Sequence, residues 1–179
     1  MKRCLAVSLI VSGLVLILPA RASLQTKPAP NPVLVFETVK GTFEIELFPA
    51  EAPKSVEHIL GLMKRSVYRG QRFHRVTASL AQFGDPQSRD MSKRDSWGTG
   101  TTFSPIGVFE LSKKRTHIRG AVGLAHAGNP AAADSQLYIM KVPNPDLNGK
   151  HAIIGQVTVG IAVVDKIAVE DLIKNATVK

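Results

Sequence analysis

The sequence predicts an all-β domain in which eight or so short strands close into a barrel, with two helices covering it. Three observations carry that expectation. The centre of the chain divides into short apolar segments separated by turns rich in Gly, Pro, Asn and Asp. Only two stretches show a helical period. Many short strands leave edges that invite aggregation unless the sheet closes on itself. At 179 residues with 44% apolar content, the chain suits one domain with a substantial core. It contains no internal repeat.

Residues 1–22 have the pattern of a secretory signal peptide. Lys2 and Arg3 precede an apolar run from Leu5 to Leu18, and Ala20 and Ala22 flank a cleavage point. The run is shorter than the ~18 to 20 apolar residues a spanning helix needs, so no stable membrane anchor is expected after cleavage. The only cysteine is Cys4, ahead of that run. The mature chain then has no thiol, which excludes disulfides, cysteine nucleophiles and zinc–thiolate sites. Loss of Lys2, Arg3 and Arg21 takes 23 basic residues to 20 against 14 acidic ones, a net charge of +6. The densest basic points, "SKRD" and "SKKRTH", are short and lack interleaved aromatics, so they read as solvated surface and no nucleic-acid partner is expected.

Residues 23–32, with prolines at 28, 30 and 32, read as an extended linker, and the domain is expected over 33–179. "PVLVFETVKGTFEIELF" gives two apolar runs about Lys40 and Gly41, the second alternating Phe43, Ile45 and Leu47 with Thr42, Glu44 and Glu46, which is a β-hairpin. In "PAEAPKSVEHILGLMKRSVYRG" the period changes. Val56, Ile59, Leu60, Met63 and Val67 form a helical stripe, Pro53 suits a first turn and Gly70 marks a stop. Short strands follow at "QRFHRV", "LAQFG", "GVFEL", "AVGLA", "QLYIM" and "HAIIGQVT". A second helix is expected from Ile161 to about Ala168, and "EDLIKNATVK" supplies a last strand.

Several chemistries are absent from the sequence. It has no P-loop, dinucleotide fingerprint, nucleophile elbow or zincin motif. "GTGTT" at 98–102 lacks the lysine and following helix of a phosphate site and reads as a loop. His58, His74, His117, His126 and His151 are scattered without i, i+4 pairing, so neither a metal nor another cofactor is expected. Ser135 with His126 and Asp134 makes a poor hydrolase, because adjacent strand residues point to opposite faces. What remains is Arg75 on a strand, with Gln82 and Gln136 inside apolar strand patterns. Polar groups so placed either satisfy one another or await a ligand, and the ligand is the favoured reading.

Taken in order, "FHRV", "AQFGDP", "GTG", "GAVGLAHAG", "DSQLYI" and "DLNGKHAIIGQVTVG" resemble the cyclophilin family of peptidyl-prolyl cis/trans isomerases over Val33 to Val178. The resemblance implies an eight-stranded antiparallel barrel capped at each end by a helix, with a substrate groove on its outer wall. It implies proline-containing polypeptides as partners, no cofactor and, with the signal peptide, work on exported chains in the periplasm or outside the cell. A monomer is the expected state. By position, Arg75 matches the family's catalytic arginine and Gln82 the glutamine that holds it. Ala125, His126 and Ala127 match the segment that hydrogen-bonds the peptide, and Gln136 the second groove glutamine. Tyr138, Leu147 and His151 match the phenylalanine, leucine and histidine of the proline pocket.

The sequence departs from that pattern in the pocket. "TASLAQ" is one residue short, so a lining phenylalanine has no counterpart, and Leu80 replaces a methionine. His126 stands for asparagine and Asp146 for an aromatic residue. The pocket is expected to be shallower and more polar, with weak binding of substrate and of cyclosporin. A binding or chaperone module that has lost turnover is the alternative, and a basic nucleic-acid binder ranks last. Within "FHRV", Phe73 is expected in the core, Arg75 on the groove side and His74 as a structural hydrogen-bond partner. Strict alternation would put Phe73 and Arg75 on one face, so a bulge or strand end is required between them.

Overall fold

The structure is a computed structural model that describes residues 30–179. The expected signal peptide and residues 23–29 of the expected linker lie outside the described residues. Residues 30–32 have no regular structure, but Pro32 O accepts from Leu47 N at 2.9 Å.

Strands β1 (Val33–Thr38) and β2 (Gly41–Leu47) form the expected hairpin, in the register Phe36 to Phe43 and Thr38 to Gly41. Gly41 takes φ 127°, which its lack of a Cβ permits. Phe43, Ile45 and Leu47 turn inward, as the alternation requires. Helix α1 (Pro53–Lys64) buries Val56, Ile59, Leu62 and Met63, so Leu62 joins the stripe. Val67 falls in the turns that follow, because the helix stops at Lys64, before Gly70. Ala52 gives α1 no side-chain cap. Glu110 does so from a distant loop, its carboxylate accepting from Lys54 N at 3.1 Å and Ser55 N at 2.8 Å.

The remaining elements are β3 (Arg75–Val76), β4 (Leu80–Phe83), β5 (Ala121–Leu124), β6 (Leu137–Met140), β7 (Ile153–Val159), α2 (Ile161–Lys166) and β8 (Ile173–Val178). "GVFEL" is not a strand. Phe109 and Leu111 are exposed and Glu110 is committed to α1, so the segment has neither a buried face nor a neighbouring strand. "QRFHRV" contributes only β3.

All eight strands belong to one curled antiparallel sheet, a half-barrel in the order β3-β4-β6-β5-β7-β2-β1-β8. The approaches to its two end strands are hydrogen-bonded to each other. Gly70 N donates to Ile173 O, Ile173 N to Gln71 O, Phe73 N to Asp171 O and Glu170 N to Phe73 O, at 2.9 to 3.1 Å. The hollow of the sheet holds an aromatic core in which Phe36 stacks on Phe43 at 5.2 Å and meets Phe83 edge-on at 5.1 Å. Tyr68 closes that core, its hydroxyl donating to Ser135 O at 3.0 Å. Burial pushes its phenol well above the usual range.

Strands β4 to β6 are also covered on their outer face. Their inward residues, among them Ala81, Phe83, Val122, Leu137 and Ile139, join the main core, while Leu80, Ala121, Tyr138 and Met140 pack outside with Phe48 and Ile153. This second, smaller apolar layer is the floor on which the candidate site is built.

Candidate active site

The register of β3, β4, β6 and β5 puts Arg75 opposite Gln82, Gln82 opposite Tyr138 and Tyr138 opposite Gly123. Four residues from four strands thus form one row across the outer wall. Gln136 lies two residues before Tyr138 and therefore shares its face.

The apparent conflict within "FHRV" resolves as a strand end. Phe73 is fully buried and bonds through its backbone to residues 170 and 171. Pairing with β4 begins only at Arg75, after His74 N has donated to Gln82 O at 3.2 Å. The chain changes partner between the two residues, so alternation restarts and Arg75 emerges exposed. His74 bonds to its neighbours through its backbone N–H, while both ring nitrogens are buried without a partner. Burial pulls its pKa below the ordinary value, so the neutral ring tolerates that setting.

Three side chains form a directed hydrogen-bond relay. Arg75 Nη1 donates to Gln82 Oε1 at 3.3 Å, and Gln82 Nε2 donates to Gln136 Oε1 at 3.0 Å. Gln136 Nε2 ends the relay on the carbonyls of Gly98 and Gly100, at 3.0 and 2.9 Å. Each amide accepts on one side and donates on the other, which fixes its orientation. The guanidinium carries five N–H donors, so one edge rests on Gln82 while others remain free toward the groove.

Two adjoining pockets flank the relay. The smaller, a cavity of about 170 Å³, is lined by Arg75, Leu80, Gln82, Tyr138, Leu147 and His151 together with Ala125 and His126. The larger, about 400 Å³, shares Gln82, Ala125 and His126 with it and adds Ala127 and Gln136. All ten residues selected from the sequence therefore line one pocket or the other. The "GTGTT" loop is a loop, as expected, and it also walls the larger pocket, which the sequence reading did not anticipate. Asp85 holds it in place, accepting from the backbone N–H groups of Gly98 and Gly100.

Tyr138 is 3% exposed, and burial pushes its phenol well above the usual range. Its hydroxyl donates to His117 Nε2 at 2.7 Å, and His117 Nδ1 donates to Asn148 Oδ1 at 2.9 Å. A Cβ on Gly123 would overlap the Tyr138 ring, so glycine makes room for the tyrosine. His117 and Gly123 are absent from the sequence-selected set. The only available signal for them was a glycine inside a strand pattern, which marks close approach.

Asp146 is exposed and lies outside both pockets. The rim is occupied instead by an imidazole pair, His126 stacked on His151 at 4.2 Å, with His151 edge-on to Tyr138 at 5.7 Å. His126 Nε2 donates to Lys150 O at 3.1 Å and His151 Nδ1 to Leu124 O at 3.3 Å. Burial, with the neighbouring cationic groups, holds His151 below the ordinary histidine value.

No hydrolase is assembled. Ser135 Oγ donates to Gly84 O at 2.7 Å, whereas Asp134 faces His58, Thr101 and Thr102. Burial opposes ionisation of Asp134, but those donors outweigh it and hold the carboxyl far below the usual range. Among the described residues no group of three or more His, Cys, Asp or Glu side chains could hold a metal ion, and no helix is long and apolar enough to cross a membrane.

Residues 33–179 match the family model described as cyclophilin type peptidyl-prolyl cis-trans isomerase/CLD. A probable peptidyl-prolyl cis-trans isomerase of Brucella suis is 36% identical over 163 residues, covering 88% of this chain and 83% of its own. A peptidyl-prolyl cis-trans isomerase of Helicobacter pylori is 34% identical over 142 residues, covering 78% and 82%. The fold is similar to the crystal structure of a cyclophilin type peptidyl-prolyl cis-trans isomerase of Cryptosporidium parvum, with TM-score 0.72, 22% identity and coverage of 83% and 98%.

Proposed function

The chain belongs to the cyclophilin-type peptidyl-prolyl cis-trans isomerases, and we propose that it catalyses X-Pro rotation in exported polypeptides with Arg75 as its catalytic residue. A peptide bond resists rotation by about 18 to 20 kcal/mol because nitrogen donates its lone pair into the carbonyl. As the bond twists, the proline nitrogen pyramidalises and becomes a hydrogen-bond acceptor, which it is not in either planar state. A guanidinium held at that point binds the twisted form selectively. No proton has to move.

The observation that carries this reading is the Arg75–Gln82 contact at the mouth of the smaller pocket. Gln82 holds one edge of an always-charged group while Leu80, Tyr138 and Leu147 offer the proline ring an apolar seat. A ~10⁴-fold acceleration needs about 5.4 kcal/mol. A hydrogen bond to a charged group contributes about 1.5 to 3 kcal/mol, and positioning in the pocket supplies the remainder. Ala125 to Ala127, His126 and Gln136 then hold the rest of the peptide along the larger pocket, and His151 forms the rim.

The same reading treats the half-barrel as closed, since the bonds between residues 70–73 and 170–173 join its ends and fix the approach to Arg75. The signal-like residues 1–22 support work in the periplasm or outside the cell, as a monomer, on proline-containing chains.

The test is turnover of a short X-Pro peptide by the purified mature domain, followed by NMR exchange or protease coupling, beside Arg75→Ala. The expected loss is about ten- to hundredfold, the span of one charge-assisted hydrogen bond. Equal rates for the two proteins would replace the isomerase with a peptide-binding module.

A further inference from the structure

Phe103 combines two unfavourable properties. It is 90% exposed, more than any other large hydrophobic residue among those described. Its backbone lies at φ 60°, in the left-handed region where a bulky residue is an outlier. Such strain persists only where surrounding structure enforces it. Here Phe103 N donates to Thr101 Oγ1 at 2.9 Å, and Thr101 Oγ1 donates to Asp134 Oδ2 at 2.6 Å. Thr102 gives the same carboxylate its N–H and its hydroxyl, and His58 pins Oδ1 from α1 at 3.2 Å.

Thr101 and Asp134 also wall the larger pocket, on the side it does not share with the smaller one. One buried carboxylate therefore shapes the unshared end of the larger pocket and, through Thr101, fixes the backbone that carries Phe103. We propose that Phe103 is an aromatic anchor for the substrate polypeptide, engaging an apolar side chain that leaves the larger pocket several residues from the X-Pro bond. This rests on the isomerase reading of the groove. The occupant follows from continuity: a chain with its proline at Arg75 crosses Ala125 to Ala127, fills the larger pocket and leaves it past Thr101. An apolar residue there would cover the exposed ring, which adds selectivity for unfolded chains that expose Leu or Phe near proline.

The experiment uses the purified domain with Phe103→Ala and Phe103→Asn. One probe is a blocked tetrapeptide with a central X-Pro bond. The others are fluorescent twelve-residue peptides with that core and a single Leu, or Ser in its place, at set distances before or after the proline. Binding is read by anisotropy and turnover by NMR exchange. Tetrapeptide turnover should be unchanged in both variants. The Leu peptides on one flank should bind the wild type about five- to tenfold more tightly than their Ser counterparts, and both variants should lose that preference. Phe103→Asn should also melt higher than Phe103→Ala, because asparagine tolerates left-handed backbone. A Leu preference that survives both substitutions, or one absent from the wild type on both flanks, overturns the anchor. Failure of the wild type to turn over the tetrapeptide overturns the isomerase reading instead and leaves the anisotropy result to decide the anchor.

Discussion

Tyr138 and His117 are locked to each other beneath the smaller pocket, the phenol donating to Nε2 across 2.7 Å with the rings stacked at 5.9 Å. The bond keeps a polar atom satisfied in the second apolar layer and fixes the ring that forms the pocket floor. His117→Ala should strand that hydroxyl at a cost of about 1 to 3 kcal/mol. In the Tyr138→Phe background the same substitution should cost about 1 kcal/mol less, a coupling that urea denaturation of the four proteins will read. Strictly additive losses would refute the coupling.

Acid should weaken the fold earlier than its carboxylates alone would require. Burial depresses His74, His117 and His151 below their ordinary 6.5, so each stays neutral in the folded state while the unfolded chain protonates. Below that pH the unfolded state binds more protons, so stability falls as pH falls. Above it these groups contribute no slope. Asp134 adds stability that is present above its ordinary 3.8 and lost as pH drops toward its much lower folded value. Thermal melts should be flat between pH ~7 and ~9, decline below ~6.5, and fall again above ~10, where the unfolded chain ionises the phenols of Tyr68 and Tyr138 that burial keeps protonated. His117→Asn should show a shallower decline over that range, and an unchanged slope would exclude His117 as a contributor.

The direction of the relay makes Gln82→Glu informative despite its small change in shape. A carboxylate would bind Arg75 at least as well, but it cannot donate to Gln136 Oε1 and would set two acceptors against each other. Turnover of a short X-Pro peptide should fall about tenfold, with kcat more affected than KM, while the melting temperature changes by no more than a few degrees. A fall confined to KM would show that the relay serves binding alone.

Asp146 stands exposed on the short 3₁₀ turn Pro145–Leu147, beside Leu147 of the pocket wall. Cyclosporin should inhibit the wild type poorly. Asp146→Trp, by adding a ring to that wall, should improve inhibition at least about tenfold, the equivalent of ~1.4 kcal/mol. Titration of both proteins in the turnover assay compares them directly.

Much of the fold was readable because its determinants are local. The alternation of Phe43, Ile45 and Leu47 fixes the inner face of β2, and Pro53 with its following stripe fixes α1. Arg75, Gln82 and Gln136 stood out as polar residues in strand patterns and the other seven groove residues were reached through the resemblance, but their convergence on two pockets depends on strand register, which no local pattern encodes. "GVFEL" has the composition of a strand, yet it lacks a partner, and pairing is a tertiary property. The roles of His117 and Gly123 depend on the ring of Tyr138, carried by a different strand. Likewise, Glu110 caps α1 from 55 positions away, and the sequence gives Phe103 no mark of its left-handed backbone. The departure at Asp146 was visible, but the imidazole pair at the rim was not, because stacking of His126 on His151 requires two loops to meet.

Synthesis order gives β8 a further consequence. A nascent chain paused on the ribosome before Ile173 already carries every side chain of the groove, but β1 lacks its pairing with β8, and Gly70 and Gln71 lack their bonds to Ile173. The hollow of aromatic rings would gape along the free edge of β1. Completion of the sheet therefore waits for the strand that is made last among the eight.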